Sequence, residues 1–214
     1  MHVEMWTDVA CPWCYVGREH FRQGLAAFAH RDQVEVVQRS FELNPRAENG
    51  TIPIVDAVAE QYGRTRDQQV AREEQAAAMA NAVGLEFRVG GRVFGNTFDV
   101  HRLSHFAATR GLQSEVLDLA FRVNFAEEAS IYDRETLVGL AVEAGLAEAE
   151  VREVLDDPDA YADEVRSDER LAAELGANGV PLFVLERRYG VSGVQSPAMF
   201  TRALEQAWAD RAAA

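Results

Sequence analysis

Cys11 and Cys14 are the only cysteines in this chain, and they stand three positions apart with Pro12 and Trp13 between them. Such a pair suits thiol-disulfide exchange, half of a tetrahedral zinc site, or a plain packed core. Val3 and Met5 alternate as a strand before the pair, and apolar residues then recur at helical spacing from about Pro12 to His30. Cys11 therefore falls at a strand-to-helix turn, where the first N–H groups of the helix are unsatisfied and a partial positive charge favours a thiolate. Pro12 suits the first helical position because it needs no N–H partner and its φ is preset. Cys14, one turn on and deeper, lies on the same face and can attack a mixed disulfide formed at Cys11. Trp13 brings no charge and no strong donor, so the couple is expected to have intermediate oxidising power. Its ring is expected to be exposed, as apolar surface for an unfolded client.

The other two readings carry requirements of their own. Zinc needs two more ligands, and His101 and His105, spaced i, i+4 on an expected helix, make a Cys2His2 site conceivable. Structural zinc, however, is usual where two ordered ligand pairs flank a turn in a fold needing support. Unreactive core cysteines fit poorly with a proline between them at a helix start.

Val180-Pro181, just before an expected strand, is the second candidate feature. A proline opening a strand is ordinary, and most X-Pro bonds are trans. If that strand lies beside the first one, Pro181 comes close to Cys11, and the Val180 backbone is left as an edge for an extended substrate. Asp8 is read either as a proton relay to Cys14 or as the residue that ends the strand. Ser192-Gly193 and Ser196 offer N–H groups to a carboxylate, or Ser196 simply caps a helix. The stretch NTFDVHRLSHF (96–106) reads as a buried helix face with His101 and Arg102 hydrogen-bonded at its rim. Arg64, Arg66 and Arg72, with Asp67, Glu73 and Glu74, read as a solvated helix surface.

The elements that must position these residues follow from periodicity. Val34, Val36, Val37, Arg39, Phe41 and Leu43 predict a second strand, which with the first strand and the helix makes a βαβ unit. From about 51 to 175 the pattern is helical, with Gly84, Gly111, Gly145 and Gly176 past helix ends and Thr97, Asp133 and Asp157 as N-caps. Leu182 to Leu185 and Tyr189 to Ser192 predict a hairpin, and Ser196-Pro197 opens a last helix to about Asp210. The fold class is α/β: one mixed sheet from residues 1–50 and 177–214, with an all-helical domain, 51–176, inserted between its halves.

At 214 residues the chain buries a core without disulfide or metal staples. Its formal charge is −14, and all 21 basic residues are arginine. No polybasic strip exists, so nucleic acid and anionic membrane are poor partners. Neither an export leader nor an apolar run of roughly 20 residues is present, so a cytoplasmic location is expected. In a reducing compartment a close cysteine pair points to function rather than to a permanent staple.

DVACPWCYVG (8–17), NTFDVHRLSHFA (96–107) and GVPLFVLERRYGVSGVQSPAMF (179–200) together resemble the FrnE-type branch of the DsbA-like thiol-disulfide oxidoreductases. The resemblance spans essentially the whole chain. It implies a thioredoxin fold interrupted by a helical domain, a Cys11/Cys14 redox centre, and a cis Pro181 facing it. 2-Hydroxychromene-2-carboxylate isomerases and kappa-class glutathione transferases are similar in architecture, but typically have serine at the position of Cys11 and lack the second cysteine. Trp13 stands where DsbA commonly has histidine, and the further C-terminal cysteine pair of some FrnE-type proteins is absent here.

The expectation is an enzyme that exchanges disulfides with protein or small thiol substrates. Cys11, Cys14 and Pro181 are its catalytic candidates; Pro12, Trp13 and Val180 are its substrate contacts. No metal or organic cofactor is required, and glutathione or a thioredoxin-like reductant is the expected electron partner. The alternatives are a glutathione-dependent isomerase or transferase, and a non-catalytic protein that holds unfolded clients.

Overall fold

The computed structural model describes residues 1–127 and 129–211. Strands β1 (His2–Thr7), β2 (Glu35–Ser40), β3 (Leu182–Leu185) and β4 (Tyr189–Ser192) form one sheet in the order β2-β1-β3-β4. β1 pairs in parallel with β2 and antiparallel with β3, and β3 and β4 form the expected hairpin. Helix α1 (Pro12–Ala27) makes the crossover between β1 and β2, and α9 (Pro197–Arg211) follows β4. Between β2 and β3 the chain forms α2 (Ile54–Gln61), α3 (Arg66–Ala82), α4 (Phe98–Ala108), α5 (Gln113–Ala126), α6 (Arg134–Glu143), α7 (Glu148–Asp156) and α8 (Ala162–Glu174). This is a thioredoxin fold carrying a long helical insertion. The last three residues of the expected 177–214 segment lie outside the described residues.

Strand alternation sorts the core into two faces. Val3 and Met5 pack with Phe21, Phe183 and Phe200 under α1 and α9, whereas Trp6 joins Leu182, Val184 and Ala172 on the side of α8. Gly24 permits the first packing: a Cβ there would sit 2.7 Å from Phe200 Cβ and 2.6 Å from the Pro197 carbonyl. A third cluster fills the helical insertion, and it includes Val9, Cys11, Cys14, Tyr15 and Val16 from the turn and α1. The insertion and the cysteine-bearing helix therefore share one apolar core.

Several elements end differently from the sequence pattern. α1 stops at Ala27 rather than near His30, because Phe28 turns extended, at ψ 130°. β2 stops at Ser40, short of Phe41 and Leu43. Side chains take over its donors: Asp168 accepts from Ser40 N–H, Glu169 from Glu42 N–H and Asp8 from Leu43 N–H. Asp133 caps α6 as expected, but Thr97 makes no cap bond, since neighbouring Asn96 accepts from Phe98 N–H instead. Asp157 ends α7 rather than opening a helix, and α8 starts five residues later.

The α3 surface also differs. Glu73 is buried, and it is ion-paired with buried Arg92, whose guanidinium lies 4.6 Å from the Phe125 ring centre. α3 is polar at nearly every position outside its alanines, and Arg92 arrives from the glycine-rich loop after it, so periodicity gives no sign of this pair. Breaking a buried pair leaves an uncompensated charge. Glu73→Ala should cost about 3–5 kcal/mol in urea unfolding, well above the effect of Glu74→Ala on the exposed side of the same helix.

Candidate active site

The last ladder rung between β1 and β3, Trp6 with Leu182, puts the ends of the two strands side by side. Cys11 follows one strand end and Val180-Pro181 precedes the other. Cys11 is the N-cap residue of α1 and Pro12 its first residue, as the spacing predicted. The Val180–Pro181 bond is cis, and Cys11 Sγ lies 3.6 Å from the Val180 carbonyl. The contact needs Gly17. A Cβ at that position would come within 2.9 Å of Pro181 Cγ. Gly17 was not singled out from the sequence, although a glycine one turn past Cys14 on the same helix was a usable signal of close approach.

The two cysteines sit at different depths. Cys14 has no exposed surface, whereas Cys11, at 3 % exposure, lines a groove of about 280 Å³. Burial, and then hydrogen bonding to Cys11 and the charge of that neighbour, push the Cys14 thiol well above its ordinary value of 9.0. Tyr15 next to it is pushed up to about 12, chiefly by burial, and its ring stacks on Phe125 at 5.1 Å. Trp13 is half-buried against the helical core rather than fully displayed, and with Pro12 and Val180 it forms part of the groove wall. Another part of the lining comes from α2, α3 and the turn between them, including Tyr62 and Arg64 of the turn and Arg72 of α3.

Asp8, at 1 % exposure, also borders the groove, with both oxygens engaged: Oδ2 accepts from Leu43 N–H at 2.7 Å and Oδ1 from Ala10 N–H at 3.1 Å. It thus fastens the turn before Cys11 to the segment after β2. His101 is buried to 2 % rather than placed at a rim, with Nε2 3.7 Å from Asp8 Oδ1 and no hydrogen-bond partner. Arg102 is buried too, and donates to the carbonyls of Val154, Asp157 and Ala160. His105 directs Nε2 at Asp168, 3.0 Å away, and at Ser40, so His101 and His105 do not converge on the cysteines. Ser196 caps α9 through Met199 N–H.

The profile of the DSBA-like thioredoxin domain matches residues 2–205. The chain belongs to that family. Its backbone superposes on a probable DsbA oxidoreductase from Streptomyces coelicolor with a TM-score of 0.94, at 55 % identity over 98 % of this chain and 90 % of the other. The cytosolic disulfide reductase DsbM of Pseudomonas aeruginosa, solved with GSH, shares the fold at a TM-score of 0.65, with 19 % identity over 96 % of this chain and 98 % of its own. Among sequences, the uncharacterised protein YwbO of Bacillus subtilis (strain 168) is 26 % identical over 193 residues, 86 % of each chain. This DsbA-like protein is a thiol-disulfide oxidoreductase. No helix among the described residues is long and apolar enough to cross a membrane.

Gly17→Ala should displace Pro181 from Cys11, costing about 1–3 kcal/mol of stability and slowing disulfide exchange more than Gly139→Ala, where a Cβ meets nothing within 4 Å. The raised Cys14 and Tyr15 values also set an alkaline limit. Both groups are held neutral by the fold, so their contribution to stability is complete below their unfolded values and is lost as pH rises. In the reduced protein the urea midpoint should decline from about pH 9 upward through Cys14, and further above about 10 through Tyr15. Cys14→Ala should remove the first part of that decline.

Proposed function

We propose that Cys11 and Cys14 form the redox centre and exchange disulfides with thiol substrates at the groove, with glutathione as a thiol partner. The observation that carries this is the difference in depth between two adjacent thiols: Cys11 opens on the groove beside the Val180 carbonyl, and Cys14 is sealed behind it with a raised pKa. Cys11 sulfur, as thiolate, attacks a substrate disulfide; the Cys11–substrate S–S bond forms, the substrate S–S bond breaks, and the departing thiolate takes a proton. Cys14 then gives up its proton and attacks Cys11 sulfur, which releases the second substrate thiol and closes the Cys11–Cys14 disulfide. Two molecules of glutathione reverse the sequence and leave as oxidised glutathione. Pro12, Trp13 and Val180 contact the substrate from the wall nearest the sulfur, and Pro181 holds Val180 in place. The DsbM relative solved with GSH supports the choice of glutathione.

With glutathione as reductant, Cys11→Ser should reduce disulfide turnover to the uncatalysed background. Cys14→Ser should accumulate a mixed disulfide on Cys11, visible in the intact mass. Turnover that persists in Cys14→Ser at the wild-type rate, with glutathione required, would replace this reading with a glutathione-dependent isomerase or transferase.

A further inference from the structure

The groove opposite Cys11 contains a charge arrangement that thiol exchange alone does not call for. The chain has 35 acidic residues against 21 arginines, and most of its arginines are ion-paired. Arg64 and Arg72 both line the groove, and among the described residues neither has a carboxylate partner. Arg64 is nonetheless held in place. Its guanidinium stands 4.6 Å from the Tyr62 ring centre, and Nη1 donates to Gln69 Oε1 at 2.9 Å. A neutral ring and a neutral amide fix this cation without cancelling its charge.

Of the two acids that border the same space, one is neutralised by an arginine and the other is held by neutral donors only. Glu73 is paired with Arg92, and Asp8 accepts from two backbone N–H groups. In a protein of formal charge −14, the groove lining therefore carries two cations without a carboxylate partner against the one carboxylate of Asp8, a local excess of positive charge. Such an arrangement attracts an anion from solution and, because guanidinium matches carboxylate geometry, orients a carboxylate in particular. At about 280 Å³ the space lies at the small end of the range for small-molecule sites.

We infer that Arg64 and Arg72 form a carboxylate subsite, and that the preferred substrates are low-molecular-weight thiols and disulfides bearing a carboxylate away from the sulfur. The inference rests on the redox reading of Cys11 and Cys14 and names the substrate class of the same site. It makes the α2–α3 wall the part that selects the substrate, and the strand-end wall the part that reacts with it.

The test compares two small disulfides of similar reactivity, the dianionic bis(2-carboxyethyl) disulfide and the neutral bis(2-hydroxyethyl) disulfide. Each is mixed with the fully reduced enzyme, and oxidation is followed by stopped-flow tryptophan fluorescence, the enzyme dithiol yielding its disulfide and two substrate thiols. Wild type should react about three to ten times faster with the dianion at low salt, a preference that shrinks as salt rises. Arg72→Gln and Arg64→Gln should each lower that preference, read as the ratio of the dianion rate to the neutral-disulfide rate in the same variant, and the double variant should abolish it. Arg72→Glu, an exposed position tolerant of change, should turn the preference against the dianion. A cyclic peptide disulfide with two flanking aspartates should gain no comparable advantage, which separates a small acid from an acidic polypeptide. Equal rates for both small disulfides in wild type, or a preference intact in the double variant, would overturn the inference and leave the redox centre standing. Failure of both disulfides to oxidise the wild-type enzyme would remove the redox reading, and this inference with it.

Discussion

The antiparallel pairing of β1 with β3 is the constraint on which the site depends. Cys11 and Val180 are 169 positions apart in sequence, yet their sulfur and carbonyl oxygen lie 3.6 Å apart. No local preference produces that meeting. It follows from a register in which Val3 faces Leu185 and Trp6 faces Leu182, so that both chains leave the sheet at the same end. A one-residue slip would turn Phe183 away from Phe21 and Phe200 and move Leu182 and Val184 onto the wrong face, so the apolar core on both sides enforces the register.

A buried polar cluster carries the same precision to the helices. Asp168 of α8 accepts from Ser40 N–H, pairs with Arg39 at 2.9 Å and meets His105 of α4 at 3.0 Å, and its carbonyl accepts the Trp6 indole N–H at 2.9 Å. A carboxylate this deep is tolerable only because every direction around it is occupied by a donor. Its partners belong to two strands and to α4, and Asp168 itself to α8, so satisfying this one residue fixes how the insertion sits on the sheet. Asp8 does the same on a smaller scale between the turn before Cys11 and Leu43.

Much of the architecture was legible in the sequence because it rests on local chemistry. The alternation of Val3 and Met5, Pro12 behind a cysteine, and the turn between Leu185 and Tyr189 each report directly on the backbone, and the hairpin has the bounds its pattern indicates. The family motifs supplied what spacing could not, including the cis bond before Pro181. The misread features share a cause: a partner distant in sequence. β2 ends early because side chains of α8 and Asp8 capture its N–H groups, and Glu73 is buried because Arg92 reaches it from a loop. Arg72 is exposed on α3 as its pattern indicates, but that pattern does not reveal the groove it lines together with Cys11 and with Arg64 from the turn before α3. Which groove a side chain lines is a property of the whole fold, and a one-dimensional pattern does not contain it.

The shared apolar cluster beneath the cysteines has a mechanical consequence. Cys14, Tyr15 and Val16 are packed directly into the interior of the helical insertion, where Tyr15 stacks on Phe121 and Phe125 and its hydroxyl donates to the Glu86 carbonyl. The insertion is thus a foundation for the turn that carries Cys11 as well as one wall of the groove. Cutting it away to leave a minimal four-stranded protein would bare the inner side of α1 to water, and the sulfurs would lose the rigid backing that holds them at unequal depth.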